Sequence, residues 1–290
     1  MAWPGLPNRH ATYNHVLLYQ LEHSQWLSAE DMLYLQFRQI NLLLRHALET
    51  VLYYHDRRQE WGIELDHAIS PEEYCRRIPI LTRAEVQELG DKLLSEEVPK
   101  LHGKCGSVFT SGSTGMPIKV IKTELTETLW NAFTARDHLW HRDPKLKLAS
   151  IRLLSGNEAN YPEGKVFKNW GSTEALTFVT GESALLNICT RIHDQVEWLQ
   201  RFDPDYLLTY PGNVQAIAIY CERNRIRFPR LKQLHTVSDL LRPEVRRIFR
   251  EVLGVPVVDV YSGAEVGYIA LQCPESENLH IQSESVFVEV

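Results

Sequence analysis

Cysteine is scarce in this chain: five residues, at positions 75, 105, 189, 221 and 273, odd in number and with no Cys-x-x-Cys spacing. That pattern argues against a secreted disulfide framework and fits a reducing compartment, so the expectation is a cytoplasmic protein. Long apolar runs are missing too. No stretch approaches the ~20 residues of a membrane-spanning helix, and Met1-Ala-Trp-Pro-Gly5 lacks a basic segment leading into an apolar one, so a soluble protein with no membrane span is expected. Positive charge is also short: 31 Lys and Arg against 37 Asp and Glu leave a net charge of −6, which argues against duplex nucleic acid as the partner. Internal repeats and low-complexity segments are absent. What the chain does have is length and apolar content, 290 residues at 44% hydrophobic, enough for one large domain or two ordinary ones.

The first hundred residues read as helices. Ser28-Ala-Glu-Asp31 is a capping-box-like start, and Leu33, Phe37, Ile40, Leu44, Ala47 and Val51 then recur at alternating steps of four and three, which gives one apolar helical face. Ser70-Pro-Glu-Glu73 and Thr82-Arg-Ala-Glu85 are two more starts. From about Gly103 the character changes to short apolar runs at Val108–Phe109, Ile118–Ile121, Leu148–Leu154, Tyr206–Leu208 and Val257–Val260. Helical stretches near 124–140, 192–202, 213–224 and 242–253 separate them, so the expected class is α/β, layered sheets with helices. The expected division is a helical N-terminal region at 1–102, packed on a main α/β domain at 103–290. Gly156 to Gly164, rich in turn residues, is expected to be a mobile loop.

The stretch Ser107-Val-Phe-Thr-Ser-Gly-Ser-Thr-Gly-Met-Pro-Ile-Lys119 carries the most chemistry. Gly112 and Gly115 let backbone amides approach an anion closely. Thr110, Ser111, Ser113 and Thr114 add hydroxyl donors, and Lys119 adds a point charge suited to a triphosphate, with Lys122 nearby. It is not a Walker loop, because Gly115 is followed by Met116-Pro117 instead of Lys-Ser/Thr.

This string resembles the Ser/Thr/Gly-rich phosphate loop of adenylate-forming enzymes, and Asp259-Val-Tyr-Ser-Gly-Ala-Glu265-Val-Gly267 resembles their aromatic-Gly-x-Thr-Glu motif. Leu21-Glu-His-Ser-Gln-Trp-Leu-Ser28, Ile78-Pro-Ile-Leu-Thr82, Thr209-Tyr-Pro-Gly212 and Leu279-His-Ile281 are similar to text of the phenylacetate-CoA ligase branch, with its coenzyme F390 synthetase-like and capsular-biosynthesis-like members. The resemblance implies the large N-terminal domain of an AMP-forming ligase that binds ATP and Mg²⁺ and activates a small-molecule carboxylate to an acyl-adenylate, with CoA or another thiol as acceptor. Adenylyl transfer without CoA, and a nucleotide- or acyl-binding module without turnover, stay open beside it. So does oligomeric state, a homodimer included.

The resemblance also assigns roles. Residues 110–115 would wrap the phosphates, and Lys119 and Glu265 would be catalytic, Glu265 by holding Mg²⁺. Tyr261 would stack on adenine while Asp259 accepts from the exocyclic amine, with Ser262, Gly263 and Ala264 completing the motif. Ser238 and Asp239, in Val237-Ser-Asp-Leu240, stand where the family has Gly-Ala-Glu-Pro-like text. Ala264 replaces the usual threonine, which removes one hydroxyl donor. Tyr210, Asn213 and 157–161 are the acyl-pocket candidates, although ordinary loop and cap roles suit them equally. Cys273 and His280 fall where some members bind structural zinc, but two ligands are short of the four that tetrahedral zinc needs. Val286-Phe-Val-Glu-Val290 reads as a strand stopping in mid-pattern with an open edge. The resemblance implies that a ribose-binding Asp, a hinge and a small lysine-bearing domain would follow.

Overall fold

The computed structural model describes residues 9–110, 117–156, 158–171 and 179–289, which fall into two compact units. After α1 (Arg9–Ser24) comes a helical unit holding residues 19–130, 264–267 and 282–289. Its long helix α2 (Ala29–Thr50) starts where Ser28 Oγ accepts the Asp31 amide at 3.1 Å. Phe37, Leu44 and Val51 of the expected stripe are buried, Leu33, Ile40 and Ala47 are half-buried, and Leu48 joins them. Leu44 and Leu48 pack on Ile63 and Ile69. The short helices α3 (Leu52–Arg57), α4 (Pro71–Arg77) and α5 (Arg83–Leu89) follow. Both expected capping boxes form: Ser70 and Glu73 exchange their bonds at 3.2 Å, and Thr82 receives the Glu85 amide at 3.3 Å while Glu85 takes the Thr82 amide at 2.7 Å. β1 (Cys105–Phe109) and β2 (Lys119–Thr123) then pair antiparallel, from Cys105 opposite Thr123 to Phe109 opposite Lys119.

Residues 286–288 correct an expectation. They form no strand, so the open edge foreseen there does not exist. Phe287 packs edge-to-face on Phe37 at 5.1 Å and on Tyr74 at 6.2 Å, and Gln36 Nε2 donates to the Val286 carbonyl at 2.8 Å. An aromatic cover satisfies Phe287 better than a short edge strand facing water.

The second unit, residues 9–18, 131–263 and 268–281, contains the C-terminal part of α6 (Glu124–His141) and an eight-stranded mixed sheet. Its strands are β3 (Leu148–Arg152), β4 (Lys165–Phe167), β5 (Ser183–Asn187), β6 (Tyr206–Thr209), β7 (Gln233–Thr236), β8 (Val257–Gly263), β9 (Gly267–Gln272) and β10 (Leu279–Ile281). The spatial order is β10-β9-β8-β7-β6-β3-β5-β4; β8, β7, β6, β3 and β5 run parallel, while β4 and β10 pair antiparallel with β5 and β9. Between parallel strands lie α7 (Ile192–Phe202), α8 (Pro211–Asn224) and α9 (Pro243–Leu253). Val196, Trp198 and Leu199 of α7, Val214, Ile217 and Ala218 of α8 and Phe249 of α9 share one core with Ile151, Leu186, Leu207 and Leu234 of the sheet.

In the segment Gly156–Gly164, expected to be mobile, Asn157 lies outside the described residues and the carbonyls of Ala159 and Glu163 are hydrogen-bonded. The Ala159 carbonyl accepts the Asn187 amide at 2.9 Å, and the Glu163 carbonyl accepts the Trp198 indole at 3.2 Å. Gly164 sits at φ +65°, and a Cβ there would meet the Leu185 carbonyl oxygen at 2.7 Å and Trp198 Nε1 at 2.8 Å. Neither neighbour is a flexible side-chain end. Gly164→Ala is therefore expected to lower stability by about 2 kcal/mol or more, read as a shift in the urea midpoint at unchanged slope.

Candidate functional site

In the helical unit, the expected phosphate loop joins the two strands of a hairpin. Ser111, Gly112, Ser113, Thr114 and Gly115 lie outside the described residues, but the base of the loop is defined. Thr110 donates its amide to the Ile118 carbonyl at 3.0 Å, and Thr110 Oγ1 accepts the Ile118 amide at 3.0 Å, with the Arg83 guanidinium 3.5 Å from the same oxygen. The ladder therefore continues one residue past Phe109, to Thr110 opposite Ile118.

The two lysines of β2 do different things. Lys119 is exposed, and its Nζ lies 3.9 Å from Asp91 Oδ1, a solvent-exposed pair of little energetic weight. Lys122 is three residues on, so strand alternation turns it to the other face of the hairpin. Partial burial holds its ammonium below the usual lysine range, and the nearby Glu265 carboxylate pulls the other way. Glu265 is exposed, and Ala264 before it is half-buried. The sequence reading counted Lys122 only as local positive charge; the parity of positions 119 and 122 on one strand is the signal that separates them.

In the sheet unit, β8 carries the second motif. Asp259 and Tyr261 share a strand face. Tyr261 is 57% exposed, which leaves a ring face open, and Ser262 and Gly263 are half-buried at the strand's end. Asp259 Oδ1 accepts the Thr236 hydroxyl at 2.9 Å. Burial lifts its carboxyl above the ordinary range, against the Thr236 and Val260 hydrogen bonds and the Arg246 charge. Thr236 ends β7 directly opposite Asp259, so Ser238 and Asp239, the next residues but one, emerge beside the β8 motif. Both are exposed, and Ser238 has φ +72°, in the left-handed region that favours glycine.

The acyl-pocket candidates divide. The Tyr210 hydroxyl accepts the Leu153 amide at 3.2 Å, which places it at the carboxyl end of β3, and residues 158–161 cover the end of β5; Asn157 is outside the described residues. Asn213 is committed elsewhere: its amide donates to Gln195 Oε1 at 2.9 Å and Thr209 Oγ1 at 3.1 Å, all buried. Cys273 and His280 do meet across the β9–β10 turn. The His280 side chain, the Glu275 amide and Ser276 stabilise the Cys273 thiolate and bring the thiol down to about 7. No third metal-type side chain joins them among the described residues. The one triplet of that kind found there is His193, Asp194 and Glu197 on the surface of α7. His193 Nδ1 is 2.9 Å from Asp194 Oδ1, and Glu197 takes the Tyr161 hydroxyl, so both carboxylates are already engaged.

No family model matches this chain, and no curated protein matches it in sequence. Solved structures do. 2-Hydroxyisobutyryl-CoA ligase in complex with 2-HIB-AMP and CoA, in its thioesterification state, aligns at TM-score 0.63 and 17% identity over 87% of this chain and 54% of that one. The same ligase in the postadenylation state with R3-HIB-AMP gives 0.63 and 16% over 87% and 53%, and its open conformation with 2-HIB-AMP and CoA gives 0.61 and 15% over 84% and 53%. The expected α/β fold is thus present and shared with these ligases, and the chain spans about half their length.

Ser238 gives a direct measurement of strain beside the motif. A non-glycine residue in the left-handed region costs about 1–2 kcal/mol, and glycine recovers most of this less its own backbone entropy. Ser238→Gly is expected to stabilise the chain by about 0.5–1 kcal/mol in chemical denaturation; an unchanged or lower midpoint would show that the conformation is not strained.

Proposed function

We propose that this chain is the nucleotide-binding part of an AMP-forming ligase, activating a carboxylate with ATP to an acyl-adenylate and pyrophosphate, with CoA as acceptor. The observation that carries this reading is the ordered pair of motifs, 107–119 and 259–267, on a chain with the fold of 2-hydroxyisobutyryl-CoA ligase. The likeness to the phenylacetate-CoA ligase branch is part of the same proposal, as is the assignment of residues 103–290 to AMP binding.

Transfer of an adenylyl group to a carboxylate brings together anionic reactants, so catalysis rests on holding them in line and neutralising charge. In this reading Thr110 to Gly115 present amides and hydroxyls to the β- and γ-phosphates, and Lys119 is the catalytic cation. Asp91 is no obstacle, because the pair is long and solvent-exposed. Glu265 would hold Mg²⁺. The residue fits: an exposed carboxylate is present, and magnesium is satisfied by one or two carboxylates plus phosphate oxygens and water. The ion supplies charge neutralisation when bound. Adenosine falls to Tyr261 through its open ring face, to Asp259 through the exocyclic amine, and to the backbone and side chains of Ser238, Asp239, Ser262, Gly263 and Ala264. The raised Asp259 carboxyl suits a position that gains a hydrogen-bond donor from the base.

Two substitutions separate these roles. Glu265→Gln keeps side-chain size and removes the metal ligand, so calorimetric ATP affinity should fall about tenfold or more with magnesium and change little in EDTA. Equal loss in both conditions would refute the metal role. Tyr261→Ala removes a contact of about 1–3 kcal/mol, by analogy with base stacking, and should weaken ATP, AMP and adenosine by a similar factor; loss confined to the triphosphate would place the tyrosine elsewhere. Pyrophosphate release with a panel of carboxylates, with and without CoA, tests the reaction itself.

A further inference from the structure

The sheet unit buries a group of charges that the proposed chemistry does not use. Asp137 and His138 near the end of α6, Arg142 just beyond it and His235 in the middle of β7 are all at most 6% exposed. Arg142 Nη1 donates to Asp137 Oδ2 at 2.8 Å and to His138 Nδ1 at 2.8 Å, and His235 Nδ1 lies 3.7 Å from the same Asp137 oxygen. Around this centre, Asp137 Oδ1, Arg142 Nε and Nη2, Gln233 Oε1 and both ring nitrogens of His235 have no hydrogen-bond partner among the described residues. Native interiors seldom leave so many polar atoms unpaired at one place.

We propose that this cluster is an acid-triggered latch that holds β7 beside α6 at neutral pH and lets the strand go when His235 takes up a proton. At neutral pH the charge is balanced, Asp137 against Arg142. The groups facing His235 are Asp137, His138, His141 and Arg142 from the helix side, and the cluster is bordered by Tyr268 of β9, whose hydroxyl is 3.0 Å from Thr134 Oγ1. A proton on His235 adds a second cation where only one carboxylate is present, in a site buried from solvent. Arg136 is also buried, but its guanidinium stacks between Phe133 and Trp140.

The sign follows from the direction of each shift. Burial and Arg142 keep His235 neutral well below the ordinary histidine range, and burial lowers His141 as well. Below about pH 6.5 an opened strand takes a proton that the closed form refuses, so opening becomes easier as pH falls. For Asp137, burial favours the neutral acid, but the adjacent Arg142 charge and its hydrogen bond outweigh burial and hold the carboxyl well below its ordinary range. Asp137 therefore does not titrate in the window that matters. β7 is the strand that leads into Ser238 and Asp239 and whose Thr236 bonds Asp259, so its release unfastens that edge of the sheet.

Hydrogen exchange of the whole chain, read by mass spectrometry at about pH 7.5 and 5.5 and corrected for intrinsic rates, tests this. One excluded histidine proton predicts about a tenfold loss of protection over that interval in peptides containing 233–236, with a smaller change in 183–187 of β5. In His235→Gln the tenfold loss at 233–236 should disappear. Unchanged protection of β7 in the natural chain, a loss equal to that of β5, or the same loss in the variant would overturn the latch. The first two comparisons need only the natural chain, so a variant that failed to fold would not shield the proposal.

Discussion

Parallel pairing of β3, β5, β6, β7 and β8 is the constraint on which the sheet unit depends. A parallel step cannot be closed by a tight turn; the chain must cross the sheet before it re-enters, and a helix is the usual way. The helices α7, α8 and α9 make the three crossings from β5 to β8, and each returns the chain to the same edge. The carboxyl ends of β6, β7 and β8 therefore emerge side by side, with Tyr210 after β6, Ser238 and Asp239 after β7, and Tyr261 to Gly263 as the last residues of β8. In open α/β sheets this edge collects ligands, most of all where strand order reverses. Here the reversal is at β3, with β5 on one side and β6 on the other, and Tyr210 bonds the backbone next to it.

Burial on both faces decides how much of this the sequence could show. Helices were legible because caps and periodicity leave marks: the two capping boxes, the α2 stripe and the crossing helices all stand within a few residues of where their patterns place them. Strands bearing β-branched or aromatic runs, β3, β6 and β8, were legible for the same reason. β5 and β7 were not. Ser183-Ala-Leu-Leu-Asn187 has no β-branched residue, and Gln233-Leu-His-Thr236 is mostly polar, yet all four residues of β7 are buried. Two of its polar residues meet partners that only tertiary structure supplies: Gln233 the His141 carbonyl and Thr236 the Asp259 carboxylate. Local propensity carries no trace of such partners.

The candidate site divides along the same line. Motif residues could be named from their order in the chain, and the structure puts Asp259, Tyr261, Ser238 and Asp239 on neighbouring strand ends. The distinct surroundings of Lys119 and Lys122 could not be named by motif, since spacing in a sequence says nothing of which charge lies opposite. Nor could the fate of Asn213, a polar residue at a helix start that reads equally well as a ligand contact. In the structure it closes a buried chain in which Thr209 Oγ1 donates to the Ile151 carbonyl and Gln195 donates to the carbonyls of Ile188 and Thr190.

That satisfied network and the unsatisfied one around Arg142 are two answers to the same cost. A buried polar group without a partner costs about 1–3 kcal/mol, and more when charged. The Asn213 network avoids the cost with neutral amides and hydroxyls, each of which both donates and accepts, so the chain of bonds closes on backbone carbonyls and is indifferent to pH. The Arg142 cluster relies on one carboxylate, one guanidinium and histidines, groups whose charge is fixed or whose bonding depends on a proton. Arg142 has five N–H donors and no acceptor, and only its Nη1 finds partners, Asp137 and His138, while Nε and Nη2 find none among the described residues. Rigidity at the α7–α8 side of the sheet and sensitivity at the α6–β7 side thus follow from which polar side chains were buried, with the same backbone architecture around both.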